Sequence, residues 1–313
     1  MSRLSGTLSR FLAAAPAAFL TAEFAIFDLA FYAGKPFGQD ARVYLAATQA
    51  WLSGGDPWEA DWAGIRFAGI PPTLLPFAPL AWLGEGVVVA LITVASVVSA
   101  VFIVRRLELP LWWLLFPPLI EAISAGSVNI IVLALALTRL HWLAAVTKPY
   151  AALPALLLAH VRQLAIAAVF VAVTFPFLPW QAFFAHDLPN VLSAQSWGGP
   201  SAWMARLFLI PIGLVALILI DRKRGAWFSV PVLWPGTQFN YSMFALPARP
   251  SALAGAILAV PYPGAPVVAV IAEVIVGRVL AFRRRTSRAS GGDPAQLESA
   301  TQEGDSIPVQ VVR

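Results

Sequence analysis

Residues 87–104 include no ionisable side chain, and the run stops at the pair Arg105-Arg106. An apolar stretch of that length nearly matches the ~20 residues a helix needs to cross a bilayer core. The pattern recurs along the chain. Run 130–137 stops at Arg139, run 151–158 at His160 and Arg162, run 207–220 at Arg222-Lys223-Arg224, and run 267–280 at Arg283-Arg284-Arg285. With 59% hydrophobic and 12% charged residues and a mean hydropathy of +0.76, the chain has more apolar side chains than a soluble core can hide. The expectation is an all-α, polytopic membrane protein.

Basic residues in short loops collect on the cytoplasmic side. Placing every basic cluster inside gives one consistent path, with roughly ten or eleven transmembrane or half-membrane elements, several shorter than the ~20 residues of a full span. The path starts with a basic segment, Arg3 to Arg10, and the apolar run 11–32. A cleaved signal peptide competes with a first span here. The run is long for a signal core and contains Glu23 and Asp28, which favours a retained span with both termini cytoplasmic. Segment 71–83 holds four prolines and reads as a broken or re-entrant element. Residues 1–282 form the membrane domain, and 283–313, rich in Arg, Ser, Gly and Glu, read as a disordered cytoplasmic tail. The turns left facing outward are loop 33–69, 124–129, 147–149, 181–202, 235–240 and 261–264. Most of the polar chemistry therefore falls on one side.

Several function classes drop out. No cysteine is present, so disulfides, thiolate metal sites and cysteine nucleophiles are excluded. The three histidines, His141, His160 and His186, lack zinc-ligand spacing. The formal charge of +5 is explained by Arg and Lys at span ends, which gives no reason to expect nucleic-acid binding.

The first polar island after the first apolar run carries the most informative carboxylate. From Asp40 the positions Val43, Tyr44, Ala47 and Trp51 follow helical spacing, and Gly54-Gly55 ends the run. This predicts a short interfacial helix with Arg42, Thr48 and Gln49 on its polar face and Tyr44, Trp51 and Trp58 at headgroup depth. Asp40 is a general-base candidate, although on the residues alone the favoured reading is an ordinary helix cap. Asp56, before Pro57, reads as a turn former, and Glu59 and Asp61 as loop charges. His186-Asp187 reads as a solvated loop feature.

Three ordered elements carry a resemblance: Asp40-Ala41-Arg42-Val43-Tyr44, Gly55-Asp56-Pro57-Trp58, and the Pro-rich segment 70–80. In this order and spacing they resemble the first external loop of glycosyltransferase family 87, mannosyltransferase-like membrane enzymes of the GT-C superfamily. The resemblance is strongest over 40–80 and patchier to Leu246. It implies a GT-C-like fold in a bacterial plasma membrane. It also implies a polyprenyl-phosphate sugar donor, a lipid-linked or cell-envelope glycan acceptor, and transfer of a hexose, mannose by resemblance, on the non-cytoplasmic face. Asp40 matches the family's loop-one base, which implies inverting displacement.

Lys148, in a Lys-x-x-Pro-like hairpin, is the implied donor-phosphate cation, against a snorkelling anchor lysine. Arg42 shares the phosphate or tunes Asp40. With those two cations no metal or other cofactor is expected. Gly126-Ser127-Val128-Asn129 resembles the family's Gly-Gln-x-Asn turn with Ser127 replacing Gln. Asn129 then contacts sugar hydroxyls, or simply packs helices. Tyr44, Gln238, Asn240 and Tyr241 complete the substrate-binding candidates. The competing class is a transporter or lipid carrier, with Glu121 and Glu273 as coupling carboxylates in apolar runs. An inactive relative is the third reading.

Overall fold

The structure is a computed structural model that describes residues 2–32, 36–188 and 199–290. It is mostly helical, and the only strands among the described residues form one two-stranded hairpin. Contacts divide the chain into residues 1–273 and 274–313.

The first helix, α1 (Ser2–Tyr32), is long and contains Pro16. α2 (Gln39–Leu52) follows Gly38, which takes the left-handed conformation at φ 74°. The hairpin pairs β1 (Asp61–Trp62) with β2 (Ile65–Arg66) in antiparallel register, Asp61 opposite Arg66. Its turn puts Ala63 and Gly64 at φ 51° and 81°, the positive pair of a tight hairpin turn. Two 3-10 turns, Pro71–Leu74 and Ala78–Leu80, occupy the proline-rich segment expected to be broken. α3 (Glu85–Arg106) then runs for 22 residues to its two basic end residues.

After a 3-10 turn at Leu111–Leu115, Pro117 opens α4 (Pro117–Ala125) at the position where a missing N–H costs nothing. Gly126, left-handed, ends it, and the chain bends by 120° into α5 (Asn129–Ala136). α6 (His141–Thr147), a 3-10 turn at Pro149–Ala151 and α7 (Ala152–Leu157) are all short. α8 (Val161–Thr174) leads to α9 (Trp180–Ala182) and the π-helical Phe183–Asp187. Beyond residue 198 come α10 (Ala202–Ala205), α11 (Leu209–Leu219) and α12 (Arg222–Leu233). A ten-residue 3-10 stretch, Phe239–Ala248, precedes α13 (Ala252–Leu258) and α14 (Ala265–Ser290).

Among the described residues two helices, α3 and the Ala265–Phe282 part of α14, are long and apolar enough to cross a membrane, and α4 with α5 makes a third if the bent pair is one span. Of the roughly ten or eleven transmembrane or half-membrane elements expected, two or three among the described residues have spanning length, with shorter pieces between them. The exposed surface of the shorter pieces is apolar too, for example Val161, Val169 and Val173 on α8 and Val215, Ile218 and Leu219 on α11. Such faces suit a hydrocarbon surrounding rather than water. Residues 283–290 continue α14, so helix persists past the point where the expected tail begins. Residues 291–313 lie outside the described part.

The buried side chains of residues 1–273 form two main groups. One packs Phe24, Trp113, Phe116, Tyr150, Phe228 and Phe244 between the helices. The other surrounds α2, with Tyr44 stacked on Phe77 at 5.1 Å and Trp58, Phe67 and Phe183 beside them. Trp58 is accordingly 3% exposed, its indole N–H donating to the Gly69 carbonyl at 3.0 Å, and is no headgroup anchor. Thr48, expected on the polar face of α2, is also buried, returning its hydroxyl to the Tyr44 carbonyl. Asp56 behaves as the turn former expected of it, accepting the Trp58 N–H at 2.9 Å.

Candidate active site

Five of the turns expected to face outward, loop 181–202 among them through Phe183 and Leu188, meet around one cavity of about 740 Å³ between the two buried groups. Loop 33–69 contributes Asp40, Tyr44 and Arg66, the α4–α5 turn Asn129, the turn after α6 Lys148 and Tyr150, and the segment after α12 Gln238 and Tyr241.

Asp40 owes its place to two glycines. The Gly38 N–H donates to the Ser124 carbonyl at 2.7 Å, joining the start of α2 to the end of α4. Gly126, at φ 67°, lies so close that a Cβ there would stand 3.0 Å from Ala41 Cβ and 3.3 Å from Gly38 Cα. Only glycine supports that combination of left-handed backbone and close approach. The cap position of α2 is therefore Gly38, and no side chain caps the helix. Asp40 sits inside the first turn, where the helix dipole favours a negative charge, and lines the cavity instead of capping. Burial pushes the Asp40 carboxyl up from its ordinary range, while the Ser127 hydroxyl bonded to it and the Lys148 charge pull it back in part.

Lys148 is held from both sides in sequence. Its N–H closes α6 by donating to the Ala144 carbonyl at 2.9 Å, and Pro149 forces it into extended backbone at φ −140°, ψ 114°. The Thr73 hydroxyl donates to the Thr147 carbonyl at 2.6 Å, tying the proline-rich segment to this turn. The Lys148 side chain is buried, with Nζ 5.1 Å from the centre of the Tyr44 ring. A snorkelling lysine reaches outward to water, and this one is turned inward.

A polar floor adjoins them. The Tyr150 hydroxyl donates to Asn129 Oδ1 at 2.5 Å, and Asn129 Nδ2 donates to Asn240 Oδ1 at 2.9 Å. Tyr241 packs on Tyr150 at 4.5 Å and shares hydrogen bonds with Tyr150 and Asn129. Burial raises Tyr44, Tyr150 and Tyr241 above the ordinary phenol range, the Asp40 charge adding to the effect, so all three remain neutral hydrogen-bonding groups at physiological pH.

Of the residues singled out from sequence, Asp40, Lys148, Tyr44, Asn129, Gln238 and Tyr241 line the cavity. Asn240 does not; it stands behind Asn129 and orients it. Arg42 is a correction. One residue along from the cavity-lining face, its guanidinium turns to Glu85 at 2.5 Å, to the Phe37 carbonyl and over the Trp62 ring at 5.0 Å. It pins the hairpin and α3 to α2 and is not among the residues that line the cavity. Glu121 and Glu273 are absent from the cavity wall. Glu273, 2% exposed, is bonded to the Arg224 guanidinium and accepts the Ser251 N–H, which joins α14 to α12 and the start of α13. The side chains of His186 and Asp187 lie outside the described residues.

Three contributors to the site escaped sequence reasoning: Ser127, which bonds Asp40, and the cavity-lining Tyr150 and Arg66. Ser127 drew attention only as a departure from a motif. Tyr150 follows Lys148-Pro149 directly, and an aromatic on an outward turn was a signal that could have been weighed. Arg66 was findable from Ala63-Gly64 as a hairpin turn, which brings the end of β2 back toward α2.

No family model matches the chain, and neither a curated protein nor a solved structure matches it; the nature of this site rests on its own geometry and chemistry.

Proposed function

We propose that the chain is a membrane glycosyltransferase of the GT-C type. It moves a hexose, mannose by the family resemblance, from a polyprenyl-phosphate donor to a lipid-linked or cell-envelope acceptor on the non-cytoplasmic face of a bacterial plasma membrane. The reading rests on one observation above all: a carboxyl with an upward-shifted affinity for protons and a buried ammonium face the same mainly apolar cavity.

Asp40 takes the proton of the acceptor hydroxyl as its oxygen bonds to the anomeric carbon. The bond from that carbon to the phosphate oxygen breaks, its electron pair leaves with the lipid phosphate, and the configuration inverts. A base works best when its proton affinity lies near the operating pH, and burial moves Asp40 in that direction. Lys148 neutralises the charge developing on the phosphate in a site where little water screens it. Asn129, Gln238 and Tyr241 present amide and phenol groups to sugar hydroxyls. Carbon walls, including Phe67, Phe183 and Trp234, suit the first isoprene units. A coupling role for Glu273 finds no support, because its carboxylate already serves Arg224 and Ser251.

The test is release of polyprenyl phosphate from polyprenyl-phosphate-mannose by the purified chain with a bacterial lipid extract. Wild type should release it and Asp40→Asn should lose roughly 100- to 10,000-fold of the rate, the usual contribution of a positioned base. Equal release from both proteins would mean another group is the base. No release with several hexose donors would remove the transferase reading.

A further inference from the structure

The cavity wall carries three charged residues, Asp40, Lys148 and Arg66. Asp40 and Lys148 interact electrostatically, Lys148 lowering the proton affinity of Asp40. Arg66 has no such counterpart. It ends β2 and is exposed, and among the described residues no hydrogen bond or ion pair engages its guanidinium, although Asp61 is its register partner across the hairpin. Its position is nevertheless fixed from behind. Arg42 covers Trp62 of β1 and bonds Glu85, so the hairpin is fastened to α2 and α3. Gly69 lets the following backbone fold against the Phe67 ring, where a Cβ would meet the ring at 2.5 Å, and its carbonyl holds Trp58. The hairpin is thus a braced arm, with one cation presented to the cavity.

We propose that Arg66 is a second anion-recognising residue of this cavity, binding the phosphate of a lipid-phosphate ligand together with Lys148, in the phosphate-sharing role expected of Arg42. The inference rests on the transferase reading for the choice of lipid phosphate and deepens it. A guanidinium offers a planar fork of donors that matches two phosphate oxygens, whereas an ammonium acts as a point charge. With Asp40 offsetting Lys148, Arg66 supplies the excess positive charge that makes the cavity select an anion. Because Arg66 is distant in role from the proton transfer, it governs how tightly the lipid phosphate binds and leaves the chemistry of the bound complex to Asp40 and Lys148.

The experiment measures binding of polyprenyl phosphate, in detergent, to the full-length chain, with polyprenol and inorganic phosphate as comparison probes. Wild type should bind polyprenyl phosphate saturably and at least tenfold more tightly than polyprenol. Arg66→Gln should weaken polyprenyl phosphate at least tenfold without changing polyprenol binding or the melting temperature, and Arg66→Lys should recover only part of the loss. In turnover, Arg66→Gln should raise KM with little change in kcat. Inorganic phosphate alone should compete weakly; competition as strong as by the lipid phosphate would overturn a lipid-phosphate site in favour of a free-phosphate one. Arg66→Gln binding like wild type, while Lys148→Met loses the ligand, overturns the role of Arg66 and leaves the transferase reading intact. Wild type that does not distinguish polyprenyl phosphate from polyprenol overturns both.

Discussion

Asp40 is a carboxyl at odds with its surroundings, and that conflict can be measured. Its folded-state proton affinity is raised by burial, so the folded protein prefers it protonated. Below the ordinary carboxylate range the group is neutral in both folded and unfolded chains and costs nothing. As pH rises from that range through the raised value, stability is lost, and the full cost is present above it. Asp40→Asn should therefore melt higher than wild type at neutral pH, and the difference should vanish in acid, while activity is lost throughout. Ser127 works in the opposite sense, donating to the carboxylate. Ser127→Ala should move the acid limb of the pH–rate profile to higher pH without changing the plateau by more than a few-fold. Asp40 and Lys148 were legible in sequence because a carboxylate and a lysine stand out in polar islands between apolar runs. Arg42 was misassigned because sequence proximity to Asp40 says nothing about direction: two residues on, a helical side chain has rotated by about 200° and points to another neighbour.

At the level of elements, the site depends on how closely α2 meets the α4–α5 turn. Gly126→Ala puts an L-residue into left-handed backbone, at about 1–2 kcal/mol, and drives its Cβ against Ala41. The variant should melt lower and lose activity more than its stability loss explains, because Asp40 is displaced from Ser127; comparing rate with melting temperature checks this. Several ends of elements could be read in advance, since Arg105-Arg106, Gly126 and the prolines of 71–83 fall where helices stop or break, whereas Arg283-Arg284-Arg285 lies inside α14. What composition could not separate was a full span from a bent pair of short helices. Both read as apolar runs, and the 120° turn at Ser127–Val128 is decided by Gly126 and by packing around Asn129. The burial of Trp58 and Thr48 was likewise invisible, because it depends on a hairpin folding back over α2.

Across the whole of residues 1–273, cavity-side turns and basic turns keep separate company. Arg249 pairs with Glu108 at 3.0 Å, Arg224 donates to the Ala248 carbonyl at 3.1 Å, and Arg222 donates to the Leu157 carbonyl at 2.6 Å. None of these residues lines the cavity. The absence of native cysteine makes sidedness simple to test with single-cysteine variants. Ser53→Cys, exposed after α2, should react with a membrane-impermeant maleimide in intact cells, and Lys223→Cys, exposed at the start of α12, only after permeabilisation. Arg224→Ala should destabilise the protein by about 1–3 kcal/mol, since it strips a partner from a buried carboxylate, and should leave the KM of folded protein unchanged.

The Asn129–Asn240 hydrogen bond joins residues 111 positions apart. During synthesis, the half of the chain that carries Asp40, Arg66, Asn129 and Lys148 is complete long before Tyr241 and Asn240 exist. A nascent chain therefore owns every charged group of the site and still lacks the Asn240 and Tyr241 part of its floor. Loop closure over that distance comes late in folding, and contacts of long sequence separation are slow to form. The floor is therefore completed only by residues from the last third of the sequence, and the cavity takes its final shape late.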